Sequence, residues 1–263
     1  MYRDDEFIIH RIPKNEDLHL YFIADVHLGC QQHMQQKWAD FCDHFLDDPN
    51  AYLILGGDMI NNNTKNSVAG PFEDIMRPRE QKIVMAEMLK PLRKRILAAI
   101  PGNHEGRSGK DADDDPMYDI LCKIDCEDIY RENMAIVKLQ IGKNKDHCQT
   151  YMVVAVHGTG GGIWTGAAVN RNERFGLAID GVDLLLVGHS HKAYTDTPGK
   201  ILIDSRNNRV SIKPFSIVVP SSWMGYGGYS MRKEMLPAAY VTQKITLLGG
   251  STKGVDVTQS WRA

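Results

Sequence analysis

Four short stretches of the chain concentrate residues that bind divalent cations. They are Asp25 and His27 in DVHLG (25–29), Asp58 in GDMINNN (57–63), Asn103 and His104 in PGNHEGR (101–107), and His189 and His191 in GHSHK (188–192). His157, at the end of the apolar run YMVVAV, adds a fifth. Imidazole nitrogen combined with carboxylate and amide oxygen suits borderline-to-hard divalent ions: Mn first, with Fe, Zn, Co or Ni also fitting. Two aspartates, an asparagine and several histidines exceed the needs of one tetrahedral ion, so the set fits two. A pair of ions can clamp the attacking and leaving oxygens of an in-line phosphoryl displacement.

These residues follow apolar runs, and that is what would position them. LHLYFIA (18–24), YLILGG (52–57) and ILAAI (96–100) each read as a buried strand, and a site residue stands just beyond each. Between them, 31–47 carries Met34, Trp38, Phe41, Phe45 and Leu46 at helical spacing, and 79–97 reads as a helix with a break at Pro91. Strand–helix–strand alternation implies parallel strands, and such sheets gather ligands outside the carboxyl ends of their strands. Carboxylates there are costly unless paired or coordinated. Asp25 and His27, read as the end of an extended segment, would turn to the same side, and so would His189 and His191. The Gly-Gly pair before Asp58 allows a sharp turn and a close backbone approach.

The second half reads differently. MAIVKLQIG (134–142) and YMVVAVHG (151–158) are strands joined by the polar KNKDHCQ turn; a helix near 169–179 and a strand at LLLVGH (184–189) follow. ILIDSRNNRVSIKPFSIVVP (201–220) reads as hairpin strands around Asn207-Asn208, and AAYVTQKITLL (238–248) as a further strand, giving an antiparallel end. With no linker or repeat, the expectation is a single domain over 1–263, with strands from about 193–263 completing a second sheet.

The ordered set DVH (25–27), GD (57–58), GNHE (102–105), HG (157–158) and GHSH (188–191) resembles the signature of calcineurin-like metallophosphoesterases over about residues 18–192. The resemblance implies an α/β (α+β) fold, a four-layer αββα sandwich of two mixed β-sheets flanked by helices. It implies that Asp25, His27 and His191 hold a first metal, that Asn103, His157 and His189 hold a second, and that Asp58 bridges them. His104 would face the substrate phosphate and stabilise or protonate the leaving oxygen, while a metal-bridging hydroxide attacks phosphorus.

Departures from better-known relatives bear on the substrate. Protein phosphatases carry D-R-G soon after the second block, where this chain reads MINNN; purple acid phosphatases place a Tyr, and double-strand-break nucleases a His, where Asn61 stands. DVHLG does match the opening of those nucleases, but their long C-terminal extension is missing. A phosphodiesterase acting on nucleic acid or nucleotides is the leading reading. A phosphomonoesterase on a small molecule or protein, and a non-catalytic binding scaffold on the same fold, are the alternatives. Arg107 and Asn61 are candidate substrate contacts, although Asn61, Asn62 and Asn63 also suit plain turn chemistry.

The remaining features carry less. At 263 residues, net charge −2 and 24% charged residues, nothing pulls the whole chain toward nucleic acid or anionic lipid. The N-terminus is too charged for a signal peptide, no run approaches a membrane span, and five cysteines without knuckle spacing fit a reducing cytoplasm. Cys122 and Cys126 read as helix packing, and Cys30 as packing near the site. DADDD (111–115) lacks the Gly and Glu of a calcium loop and reads as a solvated acidic loop. GTGGGIWTG (158–166) reads as a flap beside His157. His10, His19, His33, His44 and His147 have no motif context. SSWMGYGGY (221–229) offers Trp223, Tyr226 and Tyr229 for stacking on a substrate ring, for packing or for an oligomer contact, a homodimer included.

Overall fold

The computed structural model describes residues 4–14, 16–67, 69–143, 148–160, 162 and 164–261. Three apolar runs become β2 (Leu18–Ile23), β3 (Ala51–Leu55) and β4 (Ile96–Ala99). They pair in parallel, with α1 (Gln35–Asp47) and α2 (Pro78–Leu89) as crossovers. The helix expected over 79–97 ends at Leu89. Pro91, which has no amide hydrogen to donate, sits inside a tighter helical turn over Lys90–Arg95. β12 (Thr242–Leu247) runs antiparallel to β2, and β13 (Val255–Ser260) closes the edge, giving the order β13-β12-β2-β3-β4.

The second sheet runs β1-β5-β6-β7-β11-β8. Its strands are β1 (Phe7–Ile12), β5 (Met134–Ile141), β6 (Gln149–Val156), β7 (Leu184–Val187), β8 (Tyr194–Asp196) and β11 (Ser216–Val219). β5 and β6 are antiparallel as expected; of the turn joining them, residues 144–147, His147 included, lie outside the described set. Three further helices are α3 (Glu105–Ala112), α4 (Pro116–Cys122) and α5 (Thr165–Ala178).

Residues alternate between faces along each strand, and here both faces are covered. Leu20, Phe22, Ile54, Leu97, Val137, Val153, Leu184, Val218 and Ile245 pack between the sheets. Tyr21, Ile23, Leu53 and Leu55 face Trp38, Phe41, Phe45, Met85 and Leu89 of the helices over the first sheet. Leu185, Val187, Ile217 and Val219 face outward from the second sheet, where Gly176 of α5 lies against Phe215 and Leu185. The order helix, sheet, sheet, helix explains why the central strands read as continuous apolar runs rather than alternating ones. The fold is the expected α/β sandwich of two mixed sheets.

The C-terminal third departs from the expectation that it completes one sheet. β12 and β13 join the first sheet, whereas β8 and β11 join the second. β11 is parallel to β7 on one side and antiparallel to β8 on the other, so the antiparallel end holds only in part. The hairpin at Asn207-Asn208 does form, from β9 (Gly199–Asp204) and β10 (Arg209–Pro214), with Asn208 at φ 51°. It stands apart as a two-stranded ribbon because Pro214 ends its ladder before β11 begins. Cys122 is the exposed last residue of α4, while Cys126 lies beyond that helix in the core, so the two do not share a helical face. In the acidic loop, Asp113 caps α3 with φ 53°, Asp114 pairs with Lys82, and Asp115 caps α4 through the Tyr118 amide. No described helix is long and apolar enough to cross a membrane.

Candidate metal centre

Every site residue lies just past a strand's carboxyl end, where the two sheets meet. Asp25 and His27 follow β2, Asp58 follows β3, Asn103 and His104 follow β4, His157 is the first residue after β6, and His189 and His191 follow β7. The loops after β2 and β3 continue to pair: the Asp25 amide donates to Gly57 O at 3.0 Å, and the His27 amide to Asp58 O at 2.9 Å. A reading of Asp25 and His27 as extended backbone is corrected here. Asp25, His27, Asp58, Asn62, His189 and His191 have φ of 57°, 50°, 52°, 44°, 68° and 58°, the left-handed region. Strain of this kind persists only where surroundings impose it.

Glycine permits the crossing of two loops. A Cβ on Gly57 would fall 2.2 Å from Gly102 N, and one on Gly102 would fall 2.1 Å from Asp58 Oδ1. Glu105, unassigned in the sequence reading, fixes that crossing. Its buried carboxylate accepts from the amides of Asp58 (2.8 Å), Met59 (2.8 Å), Ile60 (3.2 Å) and Gly102 (2.8 Å). Burial and the neighbouring Asp58 carboxylate push its pKa up to about 7. Its sequence signals were its place in the GNHE block and an acidic residue at the opening of a helix.

The side chains converge in three overlapping groups: Asp25, His27 and His191; His27, Asp58 and His104; Asp58, His157 and His189. Within each, the candidate ligand atoms lie within 4.8 Å of one another. Asn103 joins the last group, its Oδ1 lying 3.1 Å from His157 Nε2 and 2.9 Å from His189 Nδ1. His27 Nδ1 donates to Asn61 Oδ1 at 3.2 Å and His157 Nδ1 to Gly56 O at 2.7 Å, so both rings turn Nε2 inward. His27 Nε2 and His191 Nε2 face each other at 3.3 Å, and buried Asp25 Oδ1 accepts no hydrogen bond. Facing nitrogens and an orphaned buried carboxylate oxygen are satisfied together by a cation, so these residues fit divalent metal.

Protonation in the metal-free protein follows the same logic. Burial opposes charge on both aspartates, yet His191 and His157 hold Asp25 below the usual carboxylate range, and His157 and His104 hold Asp58 well below it. Loss of water disfavours the His157 cation, but Asp58 at 3.3 Å outweighs this and raises its pKa to about 10. Asp25 raises His191 likewise against the effect of burial. His27, by contrast, is pushed well down by burial and by His104. At neutral pH a proton therefore sits on His157, and an arriving cation must displace it. Chelator-stripped protein titrated with manganese in weak buffer at pH 7 should acidify the solution, and apparent affinity should climb with pH toward about 10, the His157 value. An indicator dye reads the first effect; an unchanged pH would contradict the assignment.

The three asparagines after Asp58 are buried and committed to protein partners. Both polar atoms of Asn61 have protein partners, His27 and Asp74 Oδ1 at 2.7 Å. Asn62 engages Gln81, Ser108 and His104 O; Asn63 engages Asp74 and Arg107. Asp74 thus accepts from Asn61, Asn63 and Gln81. Nothing in its sequence context, EDIM, predicted this. Asp74→Ala should cost about 2–3 kcal/mol from the unpaired buried donors and weaken metal binding roughly tenfold through His27. Thermal unfolding and metal titration check both.

Arg107 donates to Asn61 O (3.2 Å), Asn63 Oδ1 (3.0 Å) and His104 Nε2 (2.9 Å). His104 Nδ1 donates to Asn61 O at 2.6 Å, so the ring is neutral, with Nε2 the acceptor. Trp223 is packing, stacked among Trp38, Phe41 and Tyr240, while Tyr226 is exposed; the Tyr229 side chain lies outside the described set. His10 and His19 bind Leu97 O and Asp48, while His33 donates to Val26 O, in the loop between Asp25 and His27. Cys30 is buried and donates to Gln32. Of the glycine-rich flap, residues 161 and 163 lie outside the described set.

The family model for calcineurin-like phosphoesterases matches residues 18–193. No curated protein sequence matches. Among solved structures, a conserved uncharacterised protein of Streptococcus pneumoniae, described as a predicted phosphoesterase, is 10% identical with a TM-score of 0.36, covering 94% of this chain and 98% of that one. Vps29 of Chaetomium thermophilum is 9% identical, TM-score 0.43, covering 92% and 97%. The nuclease MPE of Pseudomonas putida is 15% identical, TM-score 0.31, covering 91% and 87%. A family match over two-thirds of the sequence, on the segment that carries all the converging residues, makes this chain a member of the calcineurin-like phosphoesterases, a metal-dependent phosphoesterase.

Proposed function

We propose that the protein is a dinuclear phosphodiesterase acting on nucleic acid or nucleotides, with residues 1–263 forming one catalytic domain. The observation that carries the dinuclear reading is Asp58, which belongs to two of the three groups of converging side chains and reaches toward His157 and His27 at once. Asp25, His27 and His191 would hold one ion, Asn103, His157 and His189 the other, with Asp58 shared. Manganese suits this mixed oxygen and nitrogen set, as do Fe, Zn, Co and Ni. When bound, the ions supply an activated water and neutralise charge on the phosphoryl group.

The chain's own contribution centres on His104. Its ring nitrogens are taken by Asn61 O and Arg107, which sets it apart from the ligands although it lies within their reach. Burial keeps its pKa low; Asp58 opposes that and Arg107 reinforces it. A phosphoryl oxygen engaging Arg107 would free Nε2 and offset the guanidinium charge. Substrate binding would then raise proton affinity at the atom facing the leaving oxygen, which fits His104 for leaving-group stabilisation or protonation.

The diester preference rests on the full ligand set together with MINNN in place of D-R-G, since those asparagines are spent on positioning. The test is manganese-supplemented turnover of bis(p-nitrophenyl) phosphate, p-nitrophenyl phosphate and single-stranded DNA. Diester and DNA cleavage are expected; monoester turnover alone would overturn the diesterase reading. Purified protein that holds no stoichiometric metal after reconstitution would favour the scaffold alternative.

A further inference from the structure

Arg171, on α5, is a half-buried cation without a counter-charge. Its Nε is sealed from solvent and has no hydrogen-bond partner, and among the described residues no carboxylate pairs with its guanidinium. Nη1 lies against Gly160, where a Cβ would fall 2.6 Å away. The next residue along the helix, Asn172, donates through Nδ2 to the Tyr194 hydroxyl at 2.7 Å. Burial raises the Tyr194 phenol, while Asn172 and the charge of Arg171 work against that rise.

The position is informative because Gly160 leads back to the centre, being three residues past His157. Three residues of chain reach at most about 10 Å. The Arg171 guanidinium therefore lies near the metal centre, against the loop that follows β6. An unpaired, half-desolvated guanidinium is costly unless something supplies the opposite charge. Its planar fork of donors matches the oxygens of a phosphate.

We propose that Arg171 forms a second anion subsite beside the metal centre, taking a phosphate of the substrate other than the one cleaved. The ligand class is a phosphate group linked to the scissile one, as in a polynucleotide backbone or a nucleotide with a further terminal phosphate. Gly160 has a role here: without a side chain it lets Arg171 Nη1 come close to the backbone just after His157. The inference deepens the phosphodiesterase reading and rests on it for the identity of the adjacent reaction.

The test compares three thymidine dinucleotides, one without a terminal phosphate, one with a 5′-phosphate and one with a 3′-phosphate. Binding is measured by calorimetry on manganese-loaded protein in a His104→Ala background, where turnover does not interfere. One phosphorylated form should bind at least tenfold more tightly than the plain dinucleotide. Arg171→Met, which keeps the apolar stem, should bring that ratio to about one. Arg171→Lys, which keeps charge but not the fork, should leave an intermediate ratio and serves as the second variant if the first folds poorly. A ratio near one in the parent protein, or one that survives either substitution unchanged, overturns the subsite. The two readings fail separately. If the ratio behaves as expected but the native enzyme cleaves no diester, the diesterase reading falls and the subsite stands. If diesters are cleaved and the ratio ignores Arg171, the reverse holds.

Discussion

Asp58→Asn should abolish turnover and strip the centre of metal while the protein stays folded. The amide has nearly the shape of the carboxylate, so Oδ1 can still accept from the His104 amide at 2.7 Å and the tight approach of Gly102 is undisturbed. What disappears is the one negative charge shared between the groups around His27 and His157. A neutral amide leaves the Asp25 carboxylate as the one negative charge among the proposed ligands against two divalent ions in a buried site. Activity on bis(p-nitrophenyl) phosphate should fall by more than about a thousandfold, on the order of removing a two-metal clamp. Elemental analysis should show metal well below the native stoichiometry. A variant that keeps full metal content and activity would remove Asp58 from the bridging role.

His104→Ala should separate chemistry from metal binding. The ring touches Asn61 O and Arg107, and its loss takes away no proposed ligand. A leaving-group donor contributes typically about 10²- to 10⁴-fold, so kcat should drop by that range with metal content unchanged. Metal loss in parallel with activity would assign His104 to the ligands instead, which its distance of 3.9 Å from Asp58 Oδ2 makes a meaningful alternative outcome.

Both results concern residues that were legible in the sequence, and the reason is chemical. Asp25, His27, Asp58, Asn103, His104, His157, His189 and His191 stand at the ends of apolar runs, where a polar side chain needs a special justification. The strands before them were equally legible, because burial on two faces produces unbroken runs such as LYFI and LLLV. What escaped lacks such contrast. β1 and β13 are edge strands with exposed positions, Phe7 and Ile9 of β1 among them, and α3 is short and almost wholly polar. The strand β11 was merged with the hairpin before it because both are apolar, and only three-dimensional pairing with β7 tells them apart. Glu105, Asp74 and Arg171 are single polar residues whose roles depend on loops distant in sequence being brought to them. No local pattern encodes that.

The left-handed backbone at Asp25, His27, Asp58, His189 and His191 has a consequence for mutational tolerance. Each such residue costs about 1–2 kcal/mol relative to a relaxed conformation. Together they approach the net stability of an ordinary domain, roughly 5–15 kcal/mol. Across most of the chain alanine is a gentler replacement than glycine; at these five positions the ranking should invert. Asp25→Gly or His191→Gly should unfold at a higher temperature than the matching alanine variant, although both lose the ligand. A paired glycine and alanine scan through the three loops would thus trace, by melting temperature alone, where the fold has given up backbone comfort to bring metal ligands together.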